Sequence, residues 1–286
     1  MMLGALPTPR SSRLARGCYG FRLTGVEGAA ALLVDAPAQW PDLPIERRGA
    51  EGAPPHEDSI GPDHAELPLQ SGGWVELERA PARVVFSLPG SPPDGDVVHP
   101  YLAPAAAVAA RWAGRESFHA GALVAGGGAW GLLGDKETGK SSTAGWLAVN
   151  GHAILTDDLL VLDGLTALAG PRCIDLREGP AARLGAGEPM GLVGLRERWR
   201  LTLPPVAAAV PLRGWITLEW GDEVELEPLE GPERLLALLP FRTVQIAPTR
   251  PEELLRLSSL PVLRLRRPRE WASLPASVEL LLDALA

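Results

Sequence analysis

The segment Gly134–Ser141 constrains this chain more than any other part of its sequence. It reads Gly-Asp-Lys-Glu-Thr-Gly-Lys-Ser and matches the pattern G-x-x-x-x-G-K-[ST] at every fixed position. The apolar run Ala129–Leu133 before it predicts a short strand, and Ser142–Val149 after it predicts a helix that ends at Asn150-Gly151. The order of strand, glycine-bounded loop and helix is the context that this pattern needs to bind phosphate.

The use of lysine supports this interpretation. Among 27 lysine and arginine residues, only Lys136 and Lys140 are lysines, and Lys140 stands where the motif requires one. Glycines at both ends of the loop let backbone N–H groups face one anion, and the helix N-terminus adds its free donors and dipole. An incidental glycine-rich turn is the alternative. The predicted nucleotide-binding residues are Gly134, Asp135, Lys136, Glu137, Thr138, Gly139, Lys140, Ser141 and Ser142.

Two adjacent acids form the second candidate feature. The apolar residues His152–Thr156 predict a strand that runs directly into Asp157 and Asp158. One carboxylate can hold Mg²⁺, directly or through water, and the other can accept the proton of an attacking hydroxyl. The hydroxyl of Ser141, which follows the motif lysine, is a second candidate ligand for Mg²⁺. A solvated Asp-Asp turn is the alternative interpretation.

Composition excludes several classes of protein. The chain has 286 residues, a net charge of −8 and an isoelectric point near 5.2, so no basic face favours nucleic-acid binding. Cys18 and Cys173 lie far apart, which argues against zinc or a disulfide framework and indicates free thiols in a reducing compartment. No apolar run of about 18 residues is present, and the N-terminus has no apolar signal region. We expect a cytoplasmic protein with no nucleic-acid or membrane partner.

The chain divides near residue 100. Residues 17–36, Trp74–Glu78 and Arg83–Leu88 have strand-like patterns, whereas residues 37–64 are rich in Pro, Asp, Glu and Gly and predict a long surface loop. Residues 1–100 are therefore expected to form a β-rich N-terminal region that could recognise the substrate. Residues 101–286 are expected to form the nucleotide-binding domain.

Further elements are predicted from residue 101 onward. Gly126-Gly127-Gly128 predicts a hairpin turn, and Gly179–Gly194 predicts a loop. The predicted strands are Thr166–Ala169, Arg172–Leu176, Leu201–Leu203, Arg213–Trp220 and Pro261–Arg267. The predicted helices are Pro104–Ala113, Glu230–Leu239, Arg250–Leu257 and Ala276–Ala286.

The order of these features resembles one known family. Three stretches together look like the HPr kinase/phosphorylase family, which shares its nucleotide-binding core with phosphoenolpyruvate carboxykinase. They are His119-Ala-Gly-Ala, the loop Gly134–Ser141 and Gly151-His-Ala-Ile-Leu-Thr-Asp-Asp. The resemblance covers residues 99–163 and becomes general through 172–270. It is closer to the shorter HPr-kinase-related proteins found beside peptide-tailoring enzymes. It implies an α/β fold with a phosphoenolpyruvate-carboxykinase-like P-loop core and a β-rich N-terminal region.

The resemblance also implies roles for individual residues. Lys140 would contact the β- and γ-phosphates of ATP, and Ser141 and Asp157 would bind Mg²⁺. Asp158 would act as general base for the acceptor hydroxyl, and His119 would lie near the transferred phosphoryl group.

Further positions and properties carry over from the same resemblance. Glu178 is the candidate for a later metal-binding glutamate, and Arg242 is the candidate for an arginine near the acceptor. A homo-oligomer is expected by the same resemblance. The glycine-rich signature that follows the acid pair in the bifunctional enzymes is missing here, so phosphorolysis and HPr itself are not carried over.

The resulting expectation is an ATP-dependent, Mg²⁺-requiring kinase. It would transfer the γ-phosphoryl group to a hydroxyl, and the first candidate acceptor is a serine of a peptide or small protein. Two alternatives remain open: a kinase for a small-molecule alcohol such as serine or a sugar, and a regulatory module that binds the nucleotide without transfer.

Overall fold

A computed structural model describes residues 15–70, 72–246 and 250–286 of the chain. The first part forms a mixed eight-stranded sheet in the order β3-β1-β2-β4-β8-β7-β6-β5. The β7–β8 hairpin confirms the strands predicted around Trp74 and Arg83. The strands are β1 Arg16–Cys18, β2 Phe21–Thr24, β3 Val34–Asp35, β4 Asp42–Gly49, β5 Ser59–Ile60, β6 His64–Pro68, β7 Trp74–Arg79 and β8 Ala82–Leu88.

The prediction of a long surface loop over residues 37–64 is wrong. Strand β4 lies inside this segment and pairs in parallel with β2 on one side and β8 on the other. Leu43 and Ile45 alone supply its buried apolar side chains, and the last four residues of the strand are exposed. Because β4 is held mainly by backbone hydrogen bonds to its neighbours, its side chains give little of the alternation from which strands are predicted.

An apolar helix joins the first sheet to the second. A short helix α1 (Asp94–Asp96) and a wide turn (Val97–Tyr101) lead into α2 (Leu102–Trp112), which ends before Gly114 at φ +78°. The helix contacts β6 and β7 of the first sheet and the first strand of the second. Its alanines are buried on nearly every side, which allows both sheets to approach its backbone closely.

The second sheet has nine strands, and its central three are parallel. Strand β11, which leads into the motif loop, pairs with β18, and β18 pairs with β20, all running in the same direction. Their carboxyl ends therefore meet at one edge, which is where open α/β sheets bind ligands. The strands are β9 Glu116–Phe118, β10 Gly121–Ala125, β11 Gly128–Leu133, β12 Ile154–Thr156, β13 Leu160–Asp163, β14 Thr166–Leu168, β18 Ala209–Trp220, β19 Glu225–Pro228 and β20 Val262–Arg267.

Both faces of this sheet are buried. Leu132 and Leu133 are neighbours in β11 but belong to different apolar clusters, and so do Trp215 and Ile216 in β18. Successive side chains of a strand point to opposite faces, so each face has its own core. The first core also includes Phe86 of the N-terminal sheet, so apolar packing is continuous across residue 100. The proposed division into two domains at that residue stays a prediction.

A small third sheet and five helices complete the fold. The prediction of a loop over Gly179–Gly194 is wrong, because helix α4 (Glu178–Leu184) and strand β16 (Glu188–Val193) occupy it. Strand β16 is largely exposed, so its side chains do not show the alternation from which a half-buried strand is predicted. The third sheet contains β15 Cys173–Leu176, β16 Glu188–Val193 and β17 Arg196–Thr202. The helices are α3 Lys140–Val149, α4 Glu178–Leu184, α5 Pro232–Leu238, α6 Pro251–Ser258 and α7 Leu274–Leu285.

The mixed α/β class is confirmed, whereas the phosphoenolpyruvate-carboxykinase-like nature of the core stays a prediction. Gly126 and Gly127, both with positive φ, form the predicted hairpin turn between β10 and β11. Within the described ranges, no helix is both long enough and apolar enough to span a bilayer.

Candidate functional site

The motif loop connects the carboxyl end of β11 to the N-terminus of α3. At Gly139 the backbone has φ +91°, and a Cβ there would lie 2.6 Å from a guanidinium nitrogen of Arg267. At Gly134 a Cβ would lie 2.5 Å from Oγ1 of Thr138, which itself donates to the carbonyl of Asp135 at 2.8 Å. Because glycine has no Cβ, the backbone at these two positions can lie close to Arg267 and Thr138, and the loop can bend tightly. The free N–H groups at the start of α3 lie at one end of the loop.

Lys140 is the first residue of α3, and its amine contacts backbone carbonyls of the bent loop. The side chain is buried, and Nζ donates to the carbonyl of Gly134 and, at 3.4 Å, to that of Asp135. Burial lowers the pKa of Lys140, while the carboxylates of Asp158 and Asp157 oppose that change. A partly desolvated ammonium at this position interacts with an anion more strongly than an exposed one, because the local dielectric is low.

Ser141 faces the first of the two acids. Its hydroxyl lies 3.4 Å from Oδ1 and 3.3 Å from Oδ2 of Asp157, a side chain that is buried at the end of β12. Burial raises the pKa of Asp157 to about 7, the negative charge of Asp158 adds to this, and the Ser141 hydrogen bond opposes it. Hydroxyl and carboxylate oxygens are the donors that Mg²⁺ prefers, so this pair fits the metal expected from the sequence.

Asp158 lies in a sharply turned segment. Its φ is +70°, and the N–H of Leu159 donates to the carbonyl of Asp157 at 2.8 Å, so the chain reverses around it. The buried hydroxyl of Thr156 supports the turn by donating to the carbonyl of Leu159 at 2.7 Å. A non-glycine residue held at positive φ is often found at a functional site. Here the turn separates the two carboxylates, with Asp157 buried and Asp158 only half-buried.

His119 reaches Asp158 from the segment between β9 and β10. Its Nδ1 lies 3.0 Å from the carbonyl oxygen and 3.2 Å from Oδ1 of Asp158. The backbone N–H of His119 donates to the carbonyl of Phe241 at 2.6 Å, which fixes the position of the ring-bearing residue. The sequence-predicted residues His119 and Asp158, separated by 39 positions, are therefore direct neighbours.

These residues line one cleft of about 820 Å³. Of the predicted phosphate-loop residues, all but Thr138 line it, together with His119, Asp157 and Asp158. Its remaining walls carry four arginines and two acids that are not among the predicted site residues. These are Arg177, Arg196, Arg198, Arg269, Asp175 and Glu197.

Besides Thr138, two predicted site residues do not line the cleft. The guanidinium of Arg242 makes a bidentate ion pair with buried Glu116, at 2.7 and 2.9 Å, and Arg111 contacts the same carboxylate at 2.6 Å. Glu178 is exposed at the start of α4 and is not among the residues that line the cleft. Neither side chain meets Asp157 or Asp158 in this arrangement.

Asp175 lines the cleft, whereas Glu178 does not. Asp175 lies at the cleft wall with 1% of its side chain exposed and accepts two hydrogen bonds from Arg200, at 2.8 and 3.0 Å. His99 and Cys173 are its neighbours. Because Arg200 already supplies a paired cation, the group is an internal ion pair rather than a metal centre. The alternation Arg196, Arg198, Arg200 along β17 was the available sequence signal, since it places all three on one face.

Comparison with known proteins adds little to this geometry. No model of a protein family matches the chain, and no curated protein matches it. The solved HPr(Ser) kinase/phosphatase from Coxiella burnetii is similar at 14% sequence identity and a TM-score of 0.29, over 59% of this chain and 96% of that one. A likeness of this size carries no argument about fold or activity.

Proposed function

We propose that the protein is an Mg²⁺-dependent kinase that transfers the γ-phosphoryl group of ATP to a hydroxyl, with a serine of a peptide or small protein as the acceptor. One observation carries this proposal. A complete phosphate-loop motif in its strand–loop–helix setting opens into the same cleft as an acid pair and a histidine. A nucleotide-binding module without transfer has no need of the second acid.

Each group of residues in the cleft has a role that follows from its chemistry. The loop N–H groups, the α3 N-terminus and the Lys140 ammonium bind and orient the phosphates. Ser141 and Asp157 would hold Mg²⁺, which when bound neutralises phosphate charge. Asp158 is free to accept the proton of the acceptor hydroxyl while that oxygen bonds to phosphorus and ADP leaves. His119 orients the Asp158 carboxylate through Nδ1.

The test is a transfer assay read by mass spectrometry. The full chain is incubated with ATP and Mg²⁺ and, in separate reactions, with serine peptides, the protein HPr and free serine. We expect a peptide product heavier by one phosphoryl group. Asp158→Asn should bind ATP like the parent chain and lose at least about a hundredfold in turnover, since general-base catalysis contributes on that order.

The outcomes separate the alternatives. Turnover retained by Asp158→Asn would remove this residue from the role of base. Nucleotide binding without any phosphorylated product would favour a regulatory module, and a product with free serine alone would favour a small-molecule kinase.

A further inference from the structure

A second cavity adjoins the phosphate cleft. It has a volume of about 450 Å³ and shares five lining residues with the cleft, but no residue of the loop Gly134–Ser142 lines it. We refer to this cavity as the acceptor groove. The shared residues are Gln70, His119, Asp158, Arg196 and Arg198.

The acceptor groove lies between three separate parts of the fold. Ile60 comes from the edge strand β5 of the N-terminal sheet, and Leu67 comes from its neighbour β6. Tyr101 and Val108 come from the start and the body of the helical segment around α2. The turn between β16 and β17 contributes Leu195 at the rim. The walls next to Asp158 are therefore largely apolar, in contrast to the arginine-rich walls of the phosphate cleft.

Given the proposed function, the position of Asp158 indicates that the groove holds the molecule that carries the acceptor hydroxyl. The His119–Asp158 pair lines both cavities, whereas the residues of the phosphate loop line only the cleft. A hydroxyl that gives its proton to Asp158 while facing a phosphate on the loop has the rest of its molecule in the groove. The cavity volume lies in the range of about 300–1,000 Å³ that is typical of sites for drug-sized ligands. The cavity is therefore several times larger than a single free amino acid.

Leu195 shows that the rim is apolar as well. Val193 pairs with Arg196, so Gly194 and Leu195 form a two-residue turn at the tip of the β16–β17 hairpin. Glycine, asparagine and aspartate are the usual residues at such positions, yet Leu195 stands there with 68% of its surface exposed. A leucine exposed at the mouth of an apolar groove gains free energy when an apolar ligand group covers it.

We propose that the acceptor groove binds an extended peptide that carries an apolar side chain beside the acceptor serine, and that Leu195 is the contact that selects this side chain. This inference rests on the proposed kinase function and specifies its acceptor. The N-terminal sheet then supplies one wall of the peptide site through β5 and β6.

The hairpin provides a matched pair of variants. Leu192 lies on the same hairpin, is 72% exposed and does not line the groove, so Leu192→Asp controls for added charge and for any effect on the fold. Leu195→Asp places the same charge at the rim. Because covering a leucine contributes about 1.5–3 kcal/mol, the KM for a serine peptide with apolar flanks should rise about ten- to a hundredfold in Leu195→Asp. The KM for ATP and all constants of Leu192→Asp should stay unchanged.

The experiment uses the full chain and a library of peptides with one central serine and varied flanking residues. Selection of Leu, Ile, Val or Phe at a fixed position beside the serine, lost in Leu195→Asp, is the expected result. No selection for apolar flanks, or equal effects of the two leucine variants, would overturn the groove assignment. Phosphorylation of free serine without any peptide product would also overturn the groove assignment, while the chain would still be a kinase. Failure of the parent chain to bind ATP in calorimetry would instead defeat the proposed function itself.

Discussion

Replacement of Asp157 by asparagine should change the pH dependence of stability in the metal-free protein. The buried carboxyl has its pKa raised from 3.8 to about 7 by burial and by the charge of Asp158. The folded state therefore retains a proton on Asp157 between pH 4 and 7, whereas the unfolded chain has already lost it. A state that binds fewer protons is favoured as pH rises, so this residue destabilises the fold progressively across that window.

The size of the effect follows from the same values. At pH 5 the unfolded carboxyl is ionised and the folded one is protonated, and at pH 8 both are ionised. One unit of pKa corresponds to about 1.4 kcal/mol, so the contribution of Asp157 to the free energy of unfolding should fall by roughly 3 kcal/mol between pH 5 and pH 8. Asparagine has almost the same shape and does not titrate, and it should remove this component.

The assay is urea unfolding of both proteins at pH 5 and pH 8 in the presence of EDTA. The stability of Asp157→Asn relative to the parent chain should increase by roughly 3 kcal/mol from the lower to the higher pH. Mg²⁺ and ATP should then stabilise the parent chain at pH 8 and have little effect on the variant. Parallel pH profiles for the two proteins would refute the assignment of a buried, proton-retaining carboxyl to this position.

Two further substitutions test other parts of the site. Lys140→Ala should weaken ATP binding by roughly ten- to a hundredfold in calorimetry, since a charge-assisted hydrogen bond contributes about 1.5–3 kcal/mol, while Lys136→Ala, which removes the exposed lysine of the same loop, should cost a few fold at most. Equal losses in the two variants would contradict the placement of Lys140 inside the loop. Arg242→Gln should destabilise the fold by about 1.5–3 kcal/mol in urea, because it removes the bidentate partner of buried Glu116 and leaves Arg111 as its remaining cation. Unchanged stability with lost transfer would instead give Arg242 the acceptor role suggested by the resemblance.

Local sequence patterns predicted the elements that carry the phosphate loop. The apolar run of β11, the helix α3 and the turn at Gly126-Gly127 lie where the pattern placed them. These elements depend on nearby residues, through strand periodicity, helix capping and the positive φ that glycine allows. Strand β4 was missed because it is stabilised by two distant neighbours, β2 and β8, rather than by its own side-chain pattern.

Pairing between distant residues was decided in the same way by tertiary structure. The family resemblance suggested Arg242 and Glu178 as site residues. In the folded chain Arg242 pairs with Glu116, and Glu178 is exposed and is not among the residues that line the cleft. The fold also brings Asp175, Arg196 and Arg198 to the cleft wall. The alternation of arginines along β17 indicates that they share a face, but not which surface that face meets.

The sequence by itself identified the motif loop and the acid pair as candidates, because both are continuous in the chain and their chemistry depends on residue type and spacing. The tertiary structure decided how the two acids differ, because the turn at Asp158 leaves one carboxyl buried and the other half-buried. It also decided which surface the proposed acceptor would meet. The groove beside Asp158 is assembled from an edge of the N-terminal sheet, the α2 segment and a hairpin tip, and these parts are close in space only after the chain has folded.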